Sequence, residues 1–113
     1  QDIFGRQYVF NLFSHNSDIY ADNGYNEEEW KMVQETKKIF GEPDINVTAT
    51  CIRVPVLRAH CESINVTLKN ELDEGEARKI LANAKGVTVV DDRENNKHPE
   101  PLDASFKDDC LVG

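Results

Sequence analysis

The central run Arg53-Val54-Pro55-Val56-Leu57-Arg58-Ala59-His60 sets a fixed cation and a titratable imidazole at the two ends of one short apolar segment. Arginine supplies a permanently charged planar fork that grips a carboxylate through two parallel hydrogen bonds, and histidine titrates closest to neutrality. The pair suits an acid substrate anchored at one end and exchanging a proton at the other. Each residue also has a plainer reading, Arg53 as half of a surface ion pair at a strand end and His60 as a satisfied structural histidine. The rest of the chain adds little catalytic equipment. It contains no G-x-G-x-x-G or Walker loop and no Ser-His-Asp pattern with an elbow glycine, and His15, His60 and His98 are too dispersed to imply a metal. Cys51 shares a face with Arg53 if the segment is a strand, which leaves both a buried thiol and a reactive one open.

Composition narrows the partners. With 113 residues, 39% hydrophobic and 30% charged, the chain suits one folded domain and is too short for a cofactor domain plus a substrate domain. A net charge of −8 disfavours nucleic acid, because any anion must be captured by local cations against the overall field. No apolar run approaches the roughly 20 residues that span a bilayer, and the first residues lack a signal-peptide pattern, so a soluble protein with no membrane partner is expected. Cys51, Cys61 and Cys110 match neither a zinc site nor a redox pair and are expected to be reduced, mostly buried thiols. The sequons Asn46-Val47-Thr48 and Asn65-Val66-Thr67 point weakly toward a secreted glycoprotein, but both lie in strand-like alternation rather than in loops.

The elements that must position these residues are legible in outline. Gln7 to His15 reads as a strand leading into a loop. Asn26-Glu27-Glu28-Glu29 is a capping box that opens a helix, with Trp30, Val33, Ile39 and Phe40 on its core side and a stop at Gly41 and Pro43. Glu35 and Lys38 share the opposite face, which by spacing alone is a solvated surface. Ile45 to Val54 reads as a strand broken by Pro55, and His60 to Leu68 as a half-buried antiparallel strand. Asp73-Glu74-Gly75-Glu76 opens a second helix that Gly86 closes, Val87 to Asp91 is a strand, Asp92 to Ser105 a long loop, and Asp109 to Val112 a last strand. The order predicts an α+β two-layer domain: a mixed, largely antiparallel sheet covered by helices on one face.

A family resemblance emerges from longer words: Glu35-Thr36-Lys37-Lys38, the run from Ala49 to His60 continuing to Glu62-Ser63, Phe10-Asn11-Leu12-Phe13-Ser14-His15-Asn16, Gly24-Tyr25-Asn26-Glu27-Glu28-Glu29 and Lys107-Asp108-Asp109. Over nearly its whole length the chain resembles the C-terminal substrate-binding and dimerisation domain of the aspartate-semialdehyde dehydrogenase family, nearest to plant, cyanobacterial and related bacterial members. The resemblance implies a C-terminal domain like that of glyceraldehyde-3-phosphate dehydrogenase. It also implies an NADP-dependent reductive dephosphorylation of aspartyl-β-phosphate to aspartate semialdehyde, on the route to lysine, threonine and methionine. On matching positions it implies that Arg53 binds the substrate α-carboxylate, His60 acts as acid and base, Glu35 meets the amino group and Lys38 holds phosphate. For Glu35 and Lys38 this reverses the reading from spacing.

The family's NADP-binding domain, nucleophilic cysteine and final helix are expected to lie outside residues 1–113, and none of Cys51, Cys61 and Cys110 sits in the nucleophile's motif. The isolated chain is therefore expected to bind no cofactor and to be inactive. A homodimer through the sheet face and a location in plastid stroma or bacterial cytoplasm are further implications. The alternative is a non-catalytic interaction module of this fold, secreted and glycosylated on Asn46 or Asn65.

Overall fold

The computed structural model describes residues 3–113, which gather into two compact units, Gln1–Pro55 and Val56–Gly113. The first unit is organised by its helix. Asn26, only 2% exposed, takes an extended backbone and accepts a hydrogen bond from the Glu29 backbone at 2.8 Å, while Oε2 of Glu29 accepts the Asn26 N–H at 3.0 Å. This reciprocal pair satisfies donors that the first turn of a helix leaves free, and α1 runs from there as Glu27–Phe40. Glu27, Glu28 and Glu29 in the first turn and Lys37 and Lys38 in the last complement the helix dipole. Gly41, at φ 66°, closes the helix in the left-handed region that a side chain disfavours.

The helix buries Val33 and half-buries Trp30, whose ring lies 5.9 Å from that of Tyr25. Ile39 and Phe40, expected on the core side, are instead largely exposed. Helical spacing identifies a face but does not supply a neighbour, and the core of this unit ends before the last turn.

Both strands of this unit are shorter than the alternation predicts. β1 is Phe13–Ser14 and β2 is Ile52–Arg53, paired antiparallel with Phe13 opposite Arg53 and Ser14 opposite Ile52. Ahead of β1, Gln7 and Asn11 turn their amides onto the backbone carbonyls of Val9 and Gln7, and Phe10 sits at φ 56°. These local bonds compete with a ladder and curl the segment, so Phe4 and Tyr8 pack against Phe13 with ring centroids 5.2 to 6.2 Å apart. Between Ile45 and Cys51 the backbone is irregular, because apolar alternation makes a strand only where a partner strand supplies hydrogen bonds.

The second unit departs further. The strand expected over His60 to Leu68 does not form; residues 56–73 are irregular, with Ile64, Val66 and Leu68 exposed by 72, 63 and 52%. Asp73 caps α2, Glu74–Ala82, by accepting from the Glu76 backbone, and the helix ends at Asn83, ahead of the expected stop at Gly86. β3, Val87–Val89, lies parallel to β4, Cys110–Val112, in the register Val87 to Cys110, Thr88 to Leu111 and Val89 to Val112. One helical turn, α3 at Pro101–Ala104, interrupts the expected loop, with proline's fixed φ starting it. The architecture is thus small α+β with two separate two-stranded sheets, one antiparallel and one parallel, in place of the single mixed sheet expected.

A charge cluster ties α2 to the end of β3. Arg78 bonds both Asp91 and Glu74, and Arg93 reaches Glu74 at 2.6 Å and Asp91 at 3.5 Å. Burial alone would raise the Asp91 carboxyl, whose side chain is 11% exposed, but the two guanidiniums outweigh it and hold the group below its usual value. A carboxyl depressed in the folded state contributes stability above its unfolded pKa and loses it as pH falls through the folded value.

Two outcomes are expected. Asn26→Ala removes the cap together with the amide's 3.3 Å bond to Ser14 Oγ, and lowers stability by about 1–2 kcal/mol in urea unfolding. The stability gap between this chain and Asp91→Asn narrows as pH drops below about 4, read by circular dichroism; a gap constant from neutral to acid pH would contradict the Arg78–Asp91–Arg93 account.

Candidate substrate-anion site

β1 and β2 build the surroundings of Arg53. Their pairing is extended by the His15 backbone N–H, which donates to the Cys51 carbonyl at 2.9 Å and so carries His15 to the neighbourhood of the arginine. Arg53 Nη2 then lies 2.8 Å from His15 Nε2, and its guanidinium carbon stands 5.6 Å from the centroid of the Phe4 ring. A guanidinium can only donate, so Nε2 is the acceptor and the imidazole is neutral with its proton on Nδ1. Nδ1 is 3.2 Å from Ser17 Oγ, a hydroxyl that can accept that proton.

The Arg53 Nε–H is buried and has no hydrogen-bond partner among the described residues. Such an unmet donor costs on the order of 1–3 kcal/mol, which an incoming acceptor can recover. Nearby, the Glu28 carboxyl is held low chiefly by its hydrogen bond to Lys31, with a smaller contribution from the Arg53 guanidinium. Tyr8 secures the outgoing strand by donating its hydroxyl to the Val54 carbonyl. A part-buried cation resting on an aromatic face, with one nitrogen fixed and another unmet, is suited to holding an anion and not to moving a proton.

The other expected site residues are placed differently. Glu35 and Lys38 are exposed on α1, and among the described residues their side chains make no hydrogen bond or ion pair. His60 belongs to the second unit, where it is exposed and follows Ala59 at φ 67°, a left-handed conformation uncommon for a residue with a side chain. Two residues before it, Arg58 lies 4.4 Å from the centre of the Phe106 ring. Arg53 is therefore gathered with His15, Phe4 and Glu28, and not with Glu35 or Lys38.

Asn46 and Asn65 are exposed in irregular segments, not in the strands expected around them. Cys61 and Cys110 are exposed and Cys51 half-buried, against the expectation of mostly buried thiols. An open hollow of about 440 Å³ in the second unit is lined by Asp91, Asp92, Asp103, Lys97 and Lys107 among others, and contains none of the expected site residues. Among the described residues no three His, Cys, Asp or Glu side chains group to hold a metal, and no helix is long and apolar enough to cross a membrane.

The residue missed in the sequence is His15. No local signal marks it: only the antiparallel register of Phe13-Ser14 with Ile52-Arg53 brings His15 opposite Cys51 and so to the face that Cys51 shares with Arg53.

Comparison with known proteins accords with the words of the sequence. The profile of the family described as semialdehyde dehydrogenase, dimerisation domain, matches residues 1–113. Relatives called aspartate-semialdehyde dehydrogenase include those of Synechocystis, 54% identical over 105 residues, and Prochlorococcus marinus, 50% identical over 105 residues; each match covers 93% of this chain. The Aquifex aeolicus relative is 43% identical over 110 residues, 97% of the chain. The chain spans only about a third of these curated relatives, 31, 30 and 32% of their lengths respectively. It belongs to the semialdehyde dehydrogenase dimerisation-domain family.

Proposed function

We propose that this chain is the substrate-binding and dimerisation part of an NADP-dependent aspartate-semialdehyde dehydrogenase, the enzyme that reductively dephosphorylates aspartyl-β-phosphate. The observation that carries the reading is the Arg53 guanidinium, part-buried on Phe4 and fixed at one nitrogen, in a chain about half identical to dehydrogenases of that name. In this reading Arg53 clamps the substrate α-carboxylate and His60 gives and takes the proton at the reacting end. Glu35 pairs with the substrate ammonium and Lys38 with its phosphate. Each role suits its residue type: a planar fork for a planar anion, a point cation for phosphate, a carboxylate for an amine.

The reduced form of NADP would supply the hydride, but residues 1–113 hold no Gly-rich dinucleotide loop, and both cofactor and nucleophile would belong to other parts of a full-length enzyme. We further propose that both units act as one domain with the sheet of a glyceraldehyde-3-phosphate-dehydrogenase-like C-terminal domain. The exposed alternation of Ile64, Val66 and Leu68 would pair as a strand there and pack against a second copy. The setting would be bacterial cytoplasm or plastid stroma.

In a full-length dehydrogenase carrying this segment, Arg53→Lys should mainly raise KM for substrate, about tenfold or more, because the two-point grip is lost. His60→Asn should mainly lower kcat, by about a hundredfold or more. Steady-state kinetics with the two effects exchanged would contradict the assignment. The chain itself should elute from gel filtration as a dimer or larger at micromolar concentration, and a clean monomer would count against the sheet-face interface.

A further inference from the structure

We infer that His15 is a positioning residue for substrate capture: as a neutral imidazole protonated on Nδ1, it holds the Arg53 guanidinium in the orientation that receives a carboxylate. The inference rests on the reading that Arg53 is the carboxylate anchor, and it adds a residue and a protonation state to that reading. Three observations converge on it. The 2.8 Å contact joins Arg53 Nη2, which can only donate, to His15 Nε2, which must therefore carry a lone pair. Ser17 Oγ, 3.2 Å from Nδ1, can accept the proton of the tautomer that leaves Nε2 free to accept. The His15 backbone is fixed by its 2.9 Å bond to Cys51, so the ring has little freedom to follow Arg53 if the side chain swings away.

The alternative protonation state undoes the arrangement. An imidazolium at His15 turns Nε2 into a donor facing a donor and sets two cations side by side. Among the described residues, the charged groups that engage the ring are Arg53 from β2 and, at longer range, Glu28 from α1; Ser17 is the polar group on its own loop. The Glu28 carboxylate is already hydrogen-bonded by Lys31 at 3.0 Å, which leaves the Arg53 guanidinium as the close partner of Nε2. Holding the guanidinium through this contact therefore requires a lone pair on Nε2.

The test uses a full-length dehydrogenase carrying this segment, with aspartate semialdehyde and phosphate as substrates in the reverse direction. His15→Ala should raise KM for the semialdehyde roughly tenfold, by more than it lowers kcat, and His15→Gln, whose amide oxygen can accept from Nη2, should recover most of the loss. Arg53→Lys run in parallel separates the two claims. If it raises KM while His15→Ala does not, the inference on His15 fails and the carboxylate anchor stands; if it leaves KM unmoved, the anchor itself fails. An equal loss in KM and kcat that glutamine does not rescue would reduce His15 to a scaffold residue and overturn the inference. Long-range proton–nitrogen NMR of the unaltered protein needs no variant and should show Nδ1 protonated and Nε2 bare. The opposite tautomer would overturn the proposal even if the variants did not fold.

Discussion

One carboxylate organises the first unit. Glu29 accepts the Asn26 backbone N–H with Oε2 and the Cys51 backbone N–H with Oε1, both at 3.0 Å, while the Asn26 side chain accepts from the Glu29 backbone and donates to Ser14. Helix start, first strand and second strand are therefore joined at a single polar knot. Around it few groups are fully buried: Phe13 and Val33 are the buried apolar side chains and Asn26 the buried polar one among the described residues. With so small a core, directional hydrogen bonds and not apolar area fix where β2 lies, and β2 carries Arg53. Positioning of the candidate anchor thus traces back to a helix cap.

The second unit uses a different device. Its helix and parallel strand pair are clamped by Arg78, Asp91, Arg93 and Glu74, all at or near the surface except Asp91. Networks of this kind contribute more than isolated surface pairs, yet remain sensitive to salt and acid. The long stretch 56–73 lies outside that clamp, and its alternating apolar residues are exposed. A segment patterned for a half-buried strand, with its apolar side in water, has the chemistry of a surface that pairs with something further, which is what a dimerisation domain requires.

How much of this was legible beforehand follows from the range of each interaction. The capping box at Asn26 and Glu29, the stop at Gly41, the cap at Asp73 and the final strand near Cys110 are set by residues within a few positions of one another, and each was readable. Strand extents were not. Period-two alternation over Ile45 to Val54 and His60 to Leu68 states which side would be buried, and says nothing of whether a partner backbone is within reach. The same limit hid His15, because its contact with Arg53 spans 38 residues and depends on the antiparallel register of β1 with β2. The arginine fork was evident from the residues alone, but the imidazole they suggested was His60, and the one beside Arg53 is His15.

The account stands or falls on what Arg53 holds. The most direct measurement is a crystal structure of a full-length dehydrogenase carrying this segment, with an unreactive analogue of the substrate amino acid bound. The account predicts the α-carboxylate within hydrogen-bond distance of the Arg53 guanidinium while Nη2 keeps its contact with His15. An analogue seated in the active site with its carboxylate on other residues, and Arg53 engaged only with protein groups, would contradict it.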